Sequence, residues 1–181
     1  MQQFYTVTFA TILKNKIIKY TIDESESKLN EIIRDEIKRN TLDKKYNLSG
    51  EDSIFGGYDI YKHIPFGYSV PLKTPLIKLN LKFVSSVRGN IKNILRLKRV
   101  NGEAYDIHRA IAIVLVTILT IVSSYQILIH GFTENTSLSI MPVFGIGYFL
   151  IVEIIARIIF KNLCKKVEKI MNTEGIVYTK L

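Results

Sequence analysis

Residues 110–129 read AIAIVLVTILTIVSSYQILI, twenty residues without one charged side chain. As a helix this stretch is about 30 Å long, the thickness of a bilayer's hydrocarbon core. A second stretch, 140–160, reads IMPVFGIGYFLIVEIIARIIF and breaks its apolar run only at Glu153 and Arg157. Between them, residues 130–139 hold Glu134 and no Lys or Arg. Arg88, Lys92, Arg96, Lys98, Arg99 and Arg109 precede the first stretch, and Lys161, Lys165, Lys166 and Lys169 follow the second. This asymmetry predicts a two-helix transmembrane hairpin, spans at about 110–129 and 140–160, with both termini cytoplasmic.

Working outward, the chain divides into an expected α+β cytoplasmic domain (1–105), the hairpin (106–161) and a basic cytoplasmic tail (162–181). The first part is near the size at which one core becomes marginal, so support from the membrane or a partner is expected. The formal net charge of +9, from 25 Lys and Arg against 16 Asp and Glu, collects around the spans. Lys78, Lys82, Arg88, Lys92, Arg96, Lys98, Arg99, Lys161, Lys165 and Lys166 are therefore candidates for contact with anionic lipid, with nucleic acid as the alternative. The single cysteine, Cys164, excludes an intramolecular disulfide and fits a reducing compartment; it reads as an inert thiol or a palmitoylation site. The start, Met1-Gln2-Gln3-Phe4-Tyr5, has neither a basic nor a long apolar leader region, so no signal peptide is expected.

Inside the first domain the Tyr, Thr, Val and Ile content of residues 4–22 predicts a β-hairpin broken at Lys14-Asn15-Lys16, with Tyr5, Val7 and Phe9 on one strand and Ile18, Tyr20 and Ile22 on the other. Thr21 or Asp23 is the expected cap of a helix running to about Asn40. Its apolar stripe is Leu29, Ile32, Ile33 and Ile37. Residues 41–75 read as a long irregular connection rich in Gly, Pro and Tyr, either a binding surface or turn-filling core. Ile77, Leu79, Leu81 and Phe83 alternate with Lys78, Asn80 and Lys82, which predicts a half-buried strand whose lysines face solvent or an acidic partner. Residues 91–99 read as either a basic amphipathic helix or another strand. Asn101-Gly102 predicts a turn at the domain boundary, and the second span is expected to continue as a helix over 161–171 before a short tail.

The spans carry polar groups of interest. Glu153 and Arg157 stand four residues apart on one helix face, about 20 Å and 26 Å along the second span. An ionisable group at that depth faces a bundle interior or a wet cavity, or is paired locally. On the first span Thr117, Thr120 and Ser124 form a stripe with Gln126 beyond, suited to a packing seam or a pore lining. Pro142, Gly145 and Gly147 mark a close-packing or kink site. His63, His108 and His130 lie far apart, and no metal-ligand spacing, phosphate loop or nucleophile elbow is present, so neither catalysis nor a cofactor or metal is expected.

In broad layout, through residues 110–160 and their basic flanks, the chain resembles the small two-span effectors of bacterial anti-phage defence, such as those of retron and cyclic-nucleotide-signalling operons. The resemblance covers architecture and carries no diagnostic motif. It implies an inner-membrane effector whose hairpins oligomerise into a permeabilising assembly under control of the cytoplasmic domain and of a regulatory protein or nucleic-acid partner. The alternative is a non-enzymatic, membrane-anchored immunity or scaffold subunit.

Overall fold

The computed structural model describes residues 17–22, 26–39, 44–46, 48–54, 56–61, 75–85, 93–130 and 141–181. Along the chain these form β1 (Ile17–Ile22), α1 (Glu26–Lys38), β2 (Ser49–Asp52), β3 (Tyr58–Tyr61), β4 (Ile77–Ser85), β5 (Asn93–Asn101), α2 (Glu103–His130), α3 (Met141–Thr173) and β6 (Tyr178–Lys180). The chain separates into two compact units, Met1–His63 with Lys78–Val100 and Asn162–Leu181, and Ile64–Ile77 with Asn101–Lys161. The architecture is a small antiparallel sheet domain with one helix, followed by two long apolar helices.

The sheet unit is organised by period-two burial. The strand order is β2-β3-β4-β5-β1-β6. Tyr20, Ile22, Ile60, Leu79, Leu81, Leu95 and Leu97 are each at most 2% exposed and form the sheet's inner face. The register sets them side by side, with Tyr20 opposite Leu95, Ile18 opposite Leu97 and Ile60 opposite Leu79. Each fully buried aliphatic chain is worth about 1.5–3 kcal/mol relative to exposure. Leu29 and Ile33 of α1 are buried as the helical stripe requires, and α1 packs on β2. The final turns of α3 supply Leu163, Val167, Ile170 and Met171 to this core.

The strands revise some expectations and decide one left open between helix and strand. Thr21 belongs to β1 and caps no helix, while Asp23 and the first strand with Tyr5, Val7 and Phe9 lie outside the described residues. Residues 93–101 are a strand, because Leu95, Leu97 and Arg99 are buried alternately. The connection expected to be irregular contains the β2–β3 hairpin, closed by Ser53 N–H to Gly57 O at 2.9 Å and Gly56 N–H to Ser53 O at 3.0 Å. Gly57, at φ +79°, brings its α-carbon so near β4 that an added Cβ would lie 2.0 Å from the Leu81 carbonyl. The Pro-rich remainder, 62–74, lies outside the described residues.

The C-terminal stretch is not a bare tail. α3 ends in a Schellman motif: Ile176 N–H bonds to Met171 O at 2.8 Å, Gly175 N–H to Asn172 O at 3.4 Å, and Gly175 takes φ +69°. The chain turned there returns as β6, pairing Tyr20 with Lys180 and Ile22 with Tyr178.

In the second unit, α2 starts seven residues before Ala110. The Gly102 carbonyl accepts from Tyr105 N–H at 3.0 Å and Asp106 N–H at 3.3 Å, and Glu103 and Asp106 place negative charge at the helix start, where the dipole favours it. The expected Asn101-Gly102 turn is thus the entrance to the helix. Among the described residues, α2 and α3 are the two helices long and apolar enough to cross a membrane.

Candidate functional site: the helical hairpin and its polar cluster

Small residues let α2 and α3 meet. Ala112 and Ala156 are buried, and a Cβ on Gly145 would stand 2.6 Å from Val116 Cγ2 and 3.0 Å from Val116 N. Gly145 therefore marks the close approach of the helices, whereas Gly147 has nothing within 4 Å of an added Cβ. Small residues at a seam let two backbones come together where no water drives association.

Of the ion pair on α3, Glu153 turns inward, while the Arg157 side chain stays 47% exposed. Glu153 is 3% exposed. Its Oε2 accepts from Tyr105 Oη at 2.8 Å, and its Oε1 accepts from Arg157 Nε at 3.0 Å. One turn along α2, His108 Nδ1 lies 2.5 Å from Tyr148 Oη. Two polar contacts thus bridge the helices, and the i,i+4 pair expected on α3 is joined by a partner from α2. Tyr105, His108 and Tyr148 were not among the sequence candidates. The signal for the first two is the three-residue spacing of Tyr105 and His108 across the expected boundary between soluble domain and hairpin, just ahead of the first span.

The first-span stripe is arranged differently. Thr117 Oγ1 donates to Ile113 O at 2.9 Å and Thr120 Oγ1 to Val116 O at 2.7 Å, the back-bonding that satisfies a hydroxyl within its own helix. Both are exposed, as is Ser124, and Gln126 is half-buried; the buried hydroxyl of this helix is Ser123. Around them the apolar surface is open. Ile113, Val114, Ile118, Ile121 and Leu128 of α2 are 52–84% exposed, and Val143, Phe144, Ile151 and Ile154 of α3 are 56–72% exposed. Only 11% of the most apolar stretch of α2 and 28% of that of α3 is buried. A core helix of a water-soluble fold is mostly covered, and exposed apolar area on this scale marks an interaction surface.

The basic candidates separate into distinct environments. Lys78 forms an ion pair with Glu51 at 2.5 Å, which holds the ammonium pKa above its ordinary value, so its acidic partner is the neighbouring strand. Lys82 is exposed beside the β2–β3 turn. Arg99 is buried at 8% exposure on the inner-face register of β5, while Arg96 and Lys98 alternate with it on the other face. Lys161 and Lys165 are exposed on α3 and Lys166 is half-buried there; Arg88 and Lys92 lie outside the described residues.

A second polar cluster closes the sheet unit. Glu174, just past α3, accepts from Lys45 Nζ at 2.8 Å and from Tyr46 Oη, while its carbonyl accepts from Lys28 Nζ at 3.0 Å. Lys45 first and Tyr46 second hold the Glu174 carboxyl below the usual carboxylate range. Glu36, buried on α1, accepts the backbone N–H groups of Lys45 and Tyr46 at 3.1 and 2.7 Å. These groups edge a cavity of about 300 Å³. Nearby, Tyr20 Oη donates to Glu168 at 2.6 Å; burial, then this bond, raises the phenol pKa far above normal. Cys164 is buried. Among the described residues no three His, Cys, Asp or Glu side chains gather to hold a metal.

Comparison with family models, curated proteins and solved structures returns no match. The fold and site define a class: a small antiparallel sheet domain joined to a pair of long apolar helices with an inward-facing polar cluster.

Proposed function

We propose that this chain is a two-pass inner-membrane effector, with the sheet unit on the cytoplasmic side and the hairpin assembling with further copies to permeabilise the bilayer. The observation that carries the membrane part is the exposed apolar surface of two span-length helices, whose buried carboxylate, Glu153, is bonded across the pair to Tyr105. Hydrocarbon, rather than water, is the solvent to which that distribution is matched. Two helices enclose no aqueous passage, so a leak requires several hairpins. The exposed faces bearing Thr117, Thr120 and Ser124 are where copies would meet. A second reading, a quiet membrane anchor for an immunity or scaffold module, is favoured by the back-bonded state of Thr117 and Thr120, which leaves their protons already committed.

Expression of the full chain with a membrane-potential dye separates these readings. Its control is a full-length chain with Ile118→Arg and Ile154→Arg, which resists insertion because each arginine costs about 2.5–3.5 kcal/mol at a span centre. Rapid depolarisation by the native chain alone supports the effector. Sustained polarisation at matched membrane abundance removes the leak and leaves the anchor. Glu153→Ala with Thr120→Leu should lower leakage while insertion persists, and full leakage by that variant would remove both residues from the mechanism.

A further inference from the structure

The outer face of the β1–β5 ladder carries a charge arrangement that the sheet itself does not stabilise. The register sets Lys19 directly opposite Arg96 and Ile17 directly opposite Lys98. Lys98 follows Arg96 by two positions, so three cations share this face. Like charges placed directly opposite on a sheet repel and lower its stability. Among the described residues neither Lys19, Arg96 nor Lys98 makes an ion pair or side-chain hydrogen bond, and the buried Arg96 Nε has no acceptor. On the same face, the acidic groups of β2 and β3 are engaged away from this ladder: Glu51 holds Lys78, and Asp59 accepts from Asn80 at 2.7 Å.

We propose that Lys19, Arg96 and Lys98 form a docking surface for the anionic headgroups of a phospholipid bilayer. This deepens the membrane reading above and rests on it. Two observations favour a bilayer over a polynucleotide. The groups interleaved with the cations are Ile17 at 39% exposure, Ile94 and Thr21, both half-buried, and among the described residues of this ladder face no aromatic ring is present on which a base would stack. Lys98 also stands five residues before the start of α2, so the chain keeps it within about 18 Å of that helix whatever the angle between them. Sequence reading counted ten basic candidates alike. Of these, Lys78 is engaged by Glu51 and Arg99 lies on the inner-face register, while Lys19, outside that set, stands opposite Arg96.

The chain contains no tryptophan, so Ile17→Trp gives a single reporter directly opposite Lys98. The full chain is placed in nanodiscs of phosphatidylcholine, or of equal parts phosphatidylcholine and phosphatidylglycerol, each doped with a headgroup spin-labelled lipid. Quenching of the tryptophan should rise with phosphatidylglycerol. It should fall back between about 0.1 M and 1 M salt, as the screening length shrinks from about 10 Å to 3 Å. Each charge should contribute about fivefold to the contact equilibrium. Lys19→Gln, Arg96→Gln and Lys98→Gln together should therefore weaken it roughly a hundredfold, while Lys19→Arg with Lys98→Arg retains it. In neutral detergent Lys19→Gln should raise the thermal midpoint by relieving Arg96, whereas a merely structural lysine would lower it.

Quenching indifferent to phosphatidylglycerol, or unchanged in the triple variant, overturns the proposal. So does a reporter that responds to single-stranded DNA and not to the anionic lipid. Alkaline extraction of native membranes tests the spans separately: a chain that washes off yet keeps the anionic-lipid gain on added vesicles breaks the two-span reading and leaves the patch standing.

Discussion

The sheet unit and the helical hairpin distribute the same kinds of residue in opposite ways. In the sheet unit Leu79, Leu81, Leu95 and Leu97 are wholly buried, while Lys19, Lys45 and Lys82 reach outward. In the hairpin Ile113, Ile118, Phe144 and Ile151 face outward, while Glu153 and Tyr105 are buried against each other. On the proposed membrane reading, one chain carries two solvent specifications. Where water surrounds the fold, burial of apolar area stabilises it. Where hydrocarbon surrounds it, apolar side chains gain nothing by turning inward, and close packing with internal hydrogen bonds holds the helices together.

The contrast can be broken most sharply by removing apolar volume from each unit. Leu79→Ala should cost about 2–5 kcal/mol in denaturation of the detergent-solubilised chain, because a cavity replaces a core side chain. Ile118→Ala should change the same measurement by less than about 0.5 kcal/mol. Equal losses would mean that α2 is a core helix after all.

A smaller effect is expected where the hairpin is tightest. Gly145→Leu should cost about 1–3 kcal/mol by forcing the helices apart at Val116, with Gly147→Leu as a neutral comparison. Crosslinking yield between cysteines placed across the seam, on a Cys164→Ser background, reports the separation. Unaltered crosslinking in Gly145→Leu would place the contact elsewhere.

Tyr105→Phe removes one donor from Glu153 and leaves Arg157 in place, so about 0.6–1.7 kcal/mol is expected, the range of hydrogen bonds between membrane helices. The loss should be read in lipid nanodiscs, and Phe at this position retaining full stability would show that Arg157 alone satisfies the carboxylate.

The smallest effect belongs to the exposed cluster on the sheet unit. The Glu174 carboxyl is held below its ordinary value, so its stabilising contribution is complete above the unfolded carboxylate pKa of about 4.3 and is lost as pH falls through the lower folded value. Glu174→Gln should therefore flatten part of the acid limb of a thermal-midpoint-against-pH curve and lower the midpoint slightly at neutral pH. An acid limb identical to the native one would show that Lys45 and Tyr46 gain nothing from this carboxylate.

Legibility in the sequence followed the strength of local pattern. The apolar runs of α2 and α3, the stripe of α1 and the alternation of β4 are each visible in a window of a few turns or residues, because one periodicity dominates there. β2, reading Ser49-Gly50-Glu51-Asp52, has no apolar alternation; it is a strand because β3 offers it a ladder, with Ser49 opposite Tyr61 and Asp52 opposite Tyr58. The strand β5 is ambiguous alone, since its alternating basic residues also fit a helix face, and its pairing with β1 decides the matter. β6 has only three residues and exists because the Gly175 turn delivers it to the edge of β1.

By itself, the sequence determined that two helices would be long and apolar enough to cross a membrane, and that a mixed domain with short antiparallel strands would precede them. Those properties depend on runs of consecutive residues. Which polar groups meet was decided only by the tertiary structure: Tyr105 with Glu153, Lys45 and Tyr46 with Glu174, Lys19 opposite Arg96. The residues that meet lie far apart in the chain, and strand register and helix rotation, which no local periodicity encodes, set their neighbours.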